Sequence, residues 1–202
     1  MKKNKTMSRK AGSAFGGNFK KDLLLVDLEA TGLDANRHEI IQIAAVLLDR
    51  KTLKEKEAFS SFVKPVAWQR RDRESMAVNK ISFDQVKNAP EKRAVLQQFN
   101  KLFNPKEVIL SYYGGPLDMD FLRAAYKRAK VGWKFNYHYL NLWGIFYAFL
   151  AAKNGLQSPG EFAGFNLDHL MKQYKIKSNN RHDALEDCRL EAEILRKIMQ
   201  KL

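Results

Sequence analysis

Two carboxylates one residue apart, Asp27 and Glu29, follow directly on the apolar run Leu23-Leu24-Leu25-Val26, and Thr31-Gly32 closes the stretch. Acids at this spacing repel one another and lose hydration when a fold covers them, so they ask for a compensating charge. A divalent cation with oxygen ligands is the natural one. The aliphatic run between turn residues reads as a short buried strand. Side chains alternate along a strand, so Asp27 and Glu29 leave it on one side while Leu28 points into the core.

Further acids stand at the junctions of other elements. Val108 to Tyr112 reads as a strand, Tyr113-Gly114-Gly115-Pro116 as a turn, and Leu117 to Ala129 as a helix, which puts Asp118 near a helix start. From about Asp183 to Leu202, Ala184, Leu185, Cys188, Leu190, Ala192, Ile194, Leu195 and Ile198 recur as the core stripe of a last helix that carries Asp187. His182 precedes Asp187 by five residues, about 500° of helical rotation, so the two do not share a helix face and His182 belongs before the helix. Asn180 is its expected cap, with Asp183 in the first turn and His182 on a mobile edge that closes over substrate.

The remaining elements give these residues a scaffold. Ile40 to Leu48 and Ala58 to Val63 are β-rich runs that complete a three-strand meander with the opening strand. Ala67 to Val78 has no apolar period and reads as an exposed loop. Pro90 starts a helix whose apolar positions Ala94, Val95, Leu96, Phe99, Leu102 and Phe103 end before Pro105. The aromatic segment Phe135 to Phe149 is expected to be a buried connection and helix, and Leu167 to Tyr174 a short helix. Strands first, then helices interleaved with strands, argue an α/β mixed sheet with helices on its faces.

The chain has 202 residues and 45% hydrophobic content, enough for one well-filled core and short for two. The expected organisation is a single domain over 21–202 behind a disordered basic arm over 1–20. No stretch approaches the roughly 18 uninterrupted apolar residues of a membrane span, and no apolar segment backs the basic N-terminus as a secretory signal would require. The single cysteine, Cys188, excludes an intramolecular disulfide and a Cys-rich zinc site, which fits a reducing, cytoplasmic setting. The formal net charge is +14, with seven Lys/Arg in residues 1–21 and further clusters at Arg123, Lys127, Arg128, Lys130 and Lys134 and at Lys172, Lys175, Lys177 and Arg181. A basic surface around an acidic site suits a polyanion held by its phosphates; the plainer reading of each cluster is solubilising charge.

Taken in order, Asp27-Leu28-Glu29-Ala30-Thr31-Gly32, then Asp118-x-x-Phe121-Leu122, then His182-x-x-x-x-Asp187 resemble the three motifs of the DnaQ-like 3′→5′ exonucleases of the DEDDh class. The resemblance runs from about Leu23 to Leu195. It implies a ribonuclease H-like fold of about five strands, the first three antiparallel, flanked by helices. It implies an enzyme that hydrolyses phosphodiester bonds from a single-stranded 3′ end and releases nucleoside 5′-monophosphates. Asp27, Glu29, Asp118 and Asp187 would then hold two divalent cations, Mg²⁺ or Mn²⁺, and Thr31, Gly32 and Leu33 match the positions that cradle the terminal nucleotide.

The chemistry agrees. Phosphodiester hydrolysis needs an activated water, a neutralised phosphoryl group and a stabilised leaving oxygen, and two divalent ions about 3.5 to 4 Å apart supply all three. Four carboxylates balance two such ions, and oxygen-only ligands select hard cations. His182 fits as general base, since imidazole is the side chain that titrates nearest neutrality and a further carboxylate would compete for metal. Two departures from the family stand out: the run Tyr112 to Leu117 lacks the usual His-Asn pair and Phe, and Asn141-Leu142 replaces a common Asp-Thr. DNA is the slightly favoured substrate, as in proofreading or repair. RNA trimming is the alternative, followed by a non-catalytic nucleic-acid-binding or polymerase-docking subunit; a polymerase or homodimer partner stays open.

Overall fold

A computed structural model describes residues 20–114, 117–154, 166–178 and 180–201. Strands β1 (Asp22–Ala30), β2 (Ile40–Leu48), β3 (Glu55–Phe62), β4 (Val108–Tyr112) and β5 (Leu140–Asn141) form one sheet in the order β3-β2-β1-β4-β5. The first three pair antiparallel, with Asp27 opposite Ala44 and Glu29 opposite Gln42. β4 and β5 join parallel, with Leu25 beside Ser111. The mixed sheet and its initial meander are as the sequence led us to expect; the arm over 1–20 lies outside the described residues, Lys20 excepted.

Helices cover both faces. Leu23 and Leu25 of β1, with Ala44, Val46 and Leu48 of β2, pack under α5 (Leu142–Asn154), α6 (Leu167–Tyr174) and α7 (Ala184–Met199). Leu24, Val26, Ala45 and Phe59 pack on the other face against α3 (Lys92–Leu102) and α4 (Leu117–Arg128). This strict alternation puts Asp27 and Glu29 in line with Leu23 and Leu25, on the α7 side, while Leu28 joins the opposite core as expected. The change from antiparallel to parallel pairing occurs at β1, and the crevice at the carboxyl ends of β1 and β4 is where open α/β sheets place their ligands.

Three expectations are corrected. The segment read as an exposed loop, Ala67 to Val78, contains a 3-10 turn (Trp68–Arg70) and most of helix α1 (Arg73–Asn79), and a second short helix, α2 (Phe83–Val86), follows it. Asp72 caps α1 by accepting from the Ser75 N–H at 2.8 Å, and Trp68 and Met76 pack on Ile41, Ile81 and Val86, so capping and tertiary burial sustain helices too short to show a period. Asn180 is not the cap of α7: Asp183 is, its Oδ1 accepting from the Glu186 N–H at 3.1 Å. The Phe135–Phe149 segment includes the two-residue β5 before its helix.

Candidate active site

Asp27 and Glu29 sit near the end of β1, Asp118 in the first turn of α4, and Asp187 in the first turn of α7. Glu29 and Asp118 line one groove of about 330 Å³ together with Leu33, Asp72, Ser75, Val78 and Leu117. His182 lies before α7, as the helical-rotation argument required, in a left-handed backbone conformation at φ +66°. Its N–H donates to Asp187 Oδ2 at 3.3 Å. One ligand atom each from Glu29, His182 and Asp187 lies within 4.8 Å of the others. The fold therefore brings all five residues to one end of the sheet.

The electrostatics are those of acids gathered without enough positive charge. Burial, then the charges of Asp118, Glu191, Asp187 and Glu29, push Asp27 well above the usual carboxylate range. Burial, with Asp187 and Asp118, pushes Glu29 up to about 8, against the opposing pull of Arg181. Burial raises Asp118 to about 7 and also raises Asp187. Burial and mutual repulsion disfavour the charged form of each acid, which a bound divalent cation would offset. Asp187 Oδ1 makes an ion pair with Arg181, whose Nε also donates to Asp168 Oδ1 at 2.8 Å. Arg181, grouped by sequence among unpaired basic residues, is instead a local counter-ion of the acidic centre. A donor set of clustered carboxylate oxygens is chemically suited to hard divalent cations.

Around this centre the nucleotide-cradling candidates differ in exposure. Thr31 is buried, its Oγ1 accepting from the Glu39 N–H at 3.0 Å and its carbonyl accepting from the Asp72 N–H at 2.7 Å. A Cβ added at Gly32 would lie 2.4 Å from the His38 imidazole, so this turn needs glycine for its own packing. Leu33 is 70% exposed at the groove wall and takes no part in the core. At the position where the family pattern has an acid, the Asn141 side chain donates to Gly114 O at 2.8 Å and accepts from the Gly144 N–H at 3.3 Å. It clasps the turn that leads to Asp118 and caps α5.

Sequence reasoning missed two contributors. Gln42 Nε2 donates to Asp183 Oδ2 at 3.0 Å, tying β2 to the start of α7 beside His182. Glu191 is buried near Asp27, Asp118 and Asp187; burial, then the charges of Asp118 and Asp187, push its carboxyl well up against the pull of Arg181. Its signal was legible: an acid on the core-facing side of the last helix, one turn after Asp187.

Residues 24–195 match the model of a family described as Exonuclease, the RNase T family. Among curated proteins the chain is 27% identical over 183 residues to a PolC-type DNA polymerase III of Caldanaerobacter subterraneus subsp. tengcongensis. That match covers 90% of this chain and 12% of the polymerase, so the chain spans about one eighth of the relative's length. Among solved structures it is similar to E. coli exonuclease I in complex with single-stranded DNA, at TM-score 0.76 and 19% identity over 88% of this chain and 40% of that one. The nuclease domain of 3′hExo, a DEDDh family member bound to rAMP, superposes at TM-score 0.73 and 20% identity, covering 91% of this chain and 94% of its own. A 3′-exonuclease that recognises the 3′ end of a histone mRNA stem-loop gives TM-score 0.74 and 21% identity over 94% and 67%. The fold is the ribonuclease H-like exonuclease fold.

Proposed function

The chain belongs to the exonuclease family, and we propose that it is a metal-dependent 3′→5′ exonuclease of the DEDDh type, releasing nucleoside 5′-monophosphates from a single-stranded 3′ end. The observation that carries this reading is the convergence of Asp27, Glu29, Asp118 and Asp187 with His182 at one end of the sheet. Asp27, Glu29, Asp118 and Asp187 would hold two divalent cations, Mg²⁺ or Mn²⁺. When bound, these would polarise the phosphoryl group, lower the pKa of the attacking water and stabilise the departing sugar oxygen.

The chain's own groups do the rest. His182, anchored through its backbone to Asp187, takes the proton of the water that attacks phosphorus. The exposed Leu33, across the groove from Leu117, presses on the terminal base and separates it from the next. Gly32 lets the backbone turn close beneath that nucleotide, over the ring of His38. The catalytic unit spans 21–202, and the basic residues of 1–20 add phosphate affinity without sequence preference.

DNA is the substrate we favour, because the curated relative is a DNA polymerase; RNA is the second reading, supported by the structural likeness to a histone mRNA 3′-exonuclease. End-labelled single-stranded DNA, duplex DNA and RNA incubated with Mg²⁺ or Mn²⁺ decide between them. Stepwise shortening from the 3′ end is expected, and its loss in Asp27→Ala and His182→Ala. No degradation of any substrate would overturn the enzyme reading, and active variants would overturn the site.

A further inference from the structure

Glu191 is an acid for which the four-carboxylate centre has no use. It stands four residues after Asp187 on α7, so the two side chains leave the helix on the same face, toward β1. It is 1% exposed, and its Oε2 has no hydrogen-bond partner among the described residues. Asp118 and Asp187 are close enough to repel it, and it repels Asp27 in turn. Its helix neighbours Cys188, Leu190, Ala192, Ile194 and Leu195 are core apolar residues. Nothing in that layer rewards a carboxylate.

Nearby groups do not satisfy it. Arg181 attracts it, but that guanidinium is shared between Asp168 and Asp187. In β4 and just after it, Ser111 Oγ and Tyr113 Oη are buried without hydrogen-bond partners among the described residues, and Tyr113 is near enough to feel the charge of Glu191. Neutral hydroxyls can solvate a carboxylate but leave its charge in place.

Building on the metal-dependent reading above, we propose that Glu191 is a fifth carboxylate ligand of the divalent-cation centre formed by Asp27, Glu29, Asp118 and Asp187. Calorimetric titration of the whole chain with Mn²⁺, without nucleic acid, tests it in Glu191→Gln, Glu191→Leu and Asp27→Asn. Both Glu191 variants are expected to bind Mn²⁺ about 10- to 100-fold more weakly. Their melting temperatures in EDTA are expected to equal or exceed the parent's, because each removes a buried charge. A Glu191 that serves only packing gives the reverse, a lower melting temperature in EDTA with unchanged Mn²⁺ affinity, and that result overturns the proposal. If Asp27→Asn loses Mn²⁺ binding while the Glu191 variants keep it, the Glu191 assignment alone falls. If Asp27→Asn keeps it too, the metal-dependent reading falls with it.

Discussion

A metal-free acidic centre should make the protein less stable as pH rises. Glu29 is pushed from 4.5 up to about 8 and Asp118 from 3.8 up to about 7, chiefly by burial. The folded state therefore binds more protons than the unfolded chain between about pH 4 and pH 8, and stability falls as pH climbs through that window. The contribution is fully present below the unfolded value and lost once the folded value is passed. At about 1.4 kcal/mol for each tenfold change in a protonation constant, ionising Glu29 alone costs on the order of 5 kcal/mol. Asp27, Asp118 and Asp187 add less than their separate costs, because they share the same repulsions. For a chain of this size 1 kcal/mol moves the melting temperature by about 2 to 4 °C, so the expected fall in EDTA is roughly 10 to 20 °C between about pH 5 and pH 9. The assay is thermal unfolding followed by circular dichroism in EDTA across that range, on the parent and on Glu29→Gln and Asp27→Asn. Each variant should flatten the slope, and excess Mn²⁺ should restore the parent at high pH through binding to the folded state. A melting temperature that stays level or rises toward pH 9 in EDTA, or variants with the parent's slope, would refute the reasoning.

Three further outcomes follow from the same geometry. His182→Ala should lower turnover about 10²- to 10⁴-fold while Mn²⁺ affinity by calorimetry stays that of the parent, because the residue moves a proton instead of holding the ion. Gly32→Ala drives a methyl group into the His38 ring, 2.4 Å from the ideal Cβ, and should cost about 1 to 3 kcal/mol in urea unfolding. Leu33→Ala, at a residue 70% exposed, should leave unfolding within about 0.5 kcal/mol of the parent yet raise KM for a single-stranded oligonucleotide.

The parts of the site that repeat with period were readable before the fold was known. Alternation along β1 placed Asp27 and Glu29 together, and a five-residue interval put His182 outside the helix that holds Asp187. Contacts between elements distant in the chain were not readable. α1 and α2 carry no apolar period of their own and exist because Asp72 caps one and Ile41 is covered by both. Asp183 displaces Asn180 as the cap because Gln42, from another strand, holds its second oxygen. Basic residues counted as free surface charge are engaged within the fold: Arg123 lies over the Trp133 ring, Arg128 donates to His38 O at 2.9 Å, and Arg181 faces Asp168 and Asp187. Charge counts see sign, whereas phosphate affinity depends on which cations have no partner inside.

Asp187 is where these threads meet. Its Oδ2 accepts the His182 N–H, its Oδ1 faces Arg181, and it stands among the proposed cation ligands. An ionised carboxylate offers about four lone-pair positions, so one side chain can keep the His182 anchor and still face an ion. The left-handed backbone at His182 is a conformation that costs a non-glycine residue energy and persists only where neighbours hold it. Here the hold runs from Gln42 to Asp183 and from Asp187 to the His182 backbone, so the proposed general base is placed by one of the proposed cation ligands. Cation occupancy and base position would thus be coupled through a single side chain. Loss of Asp187 removes both, whereas loss of Glu29 removes a ligand and leaves the His182 anchor in place.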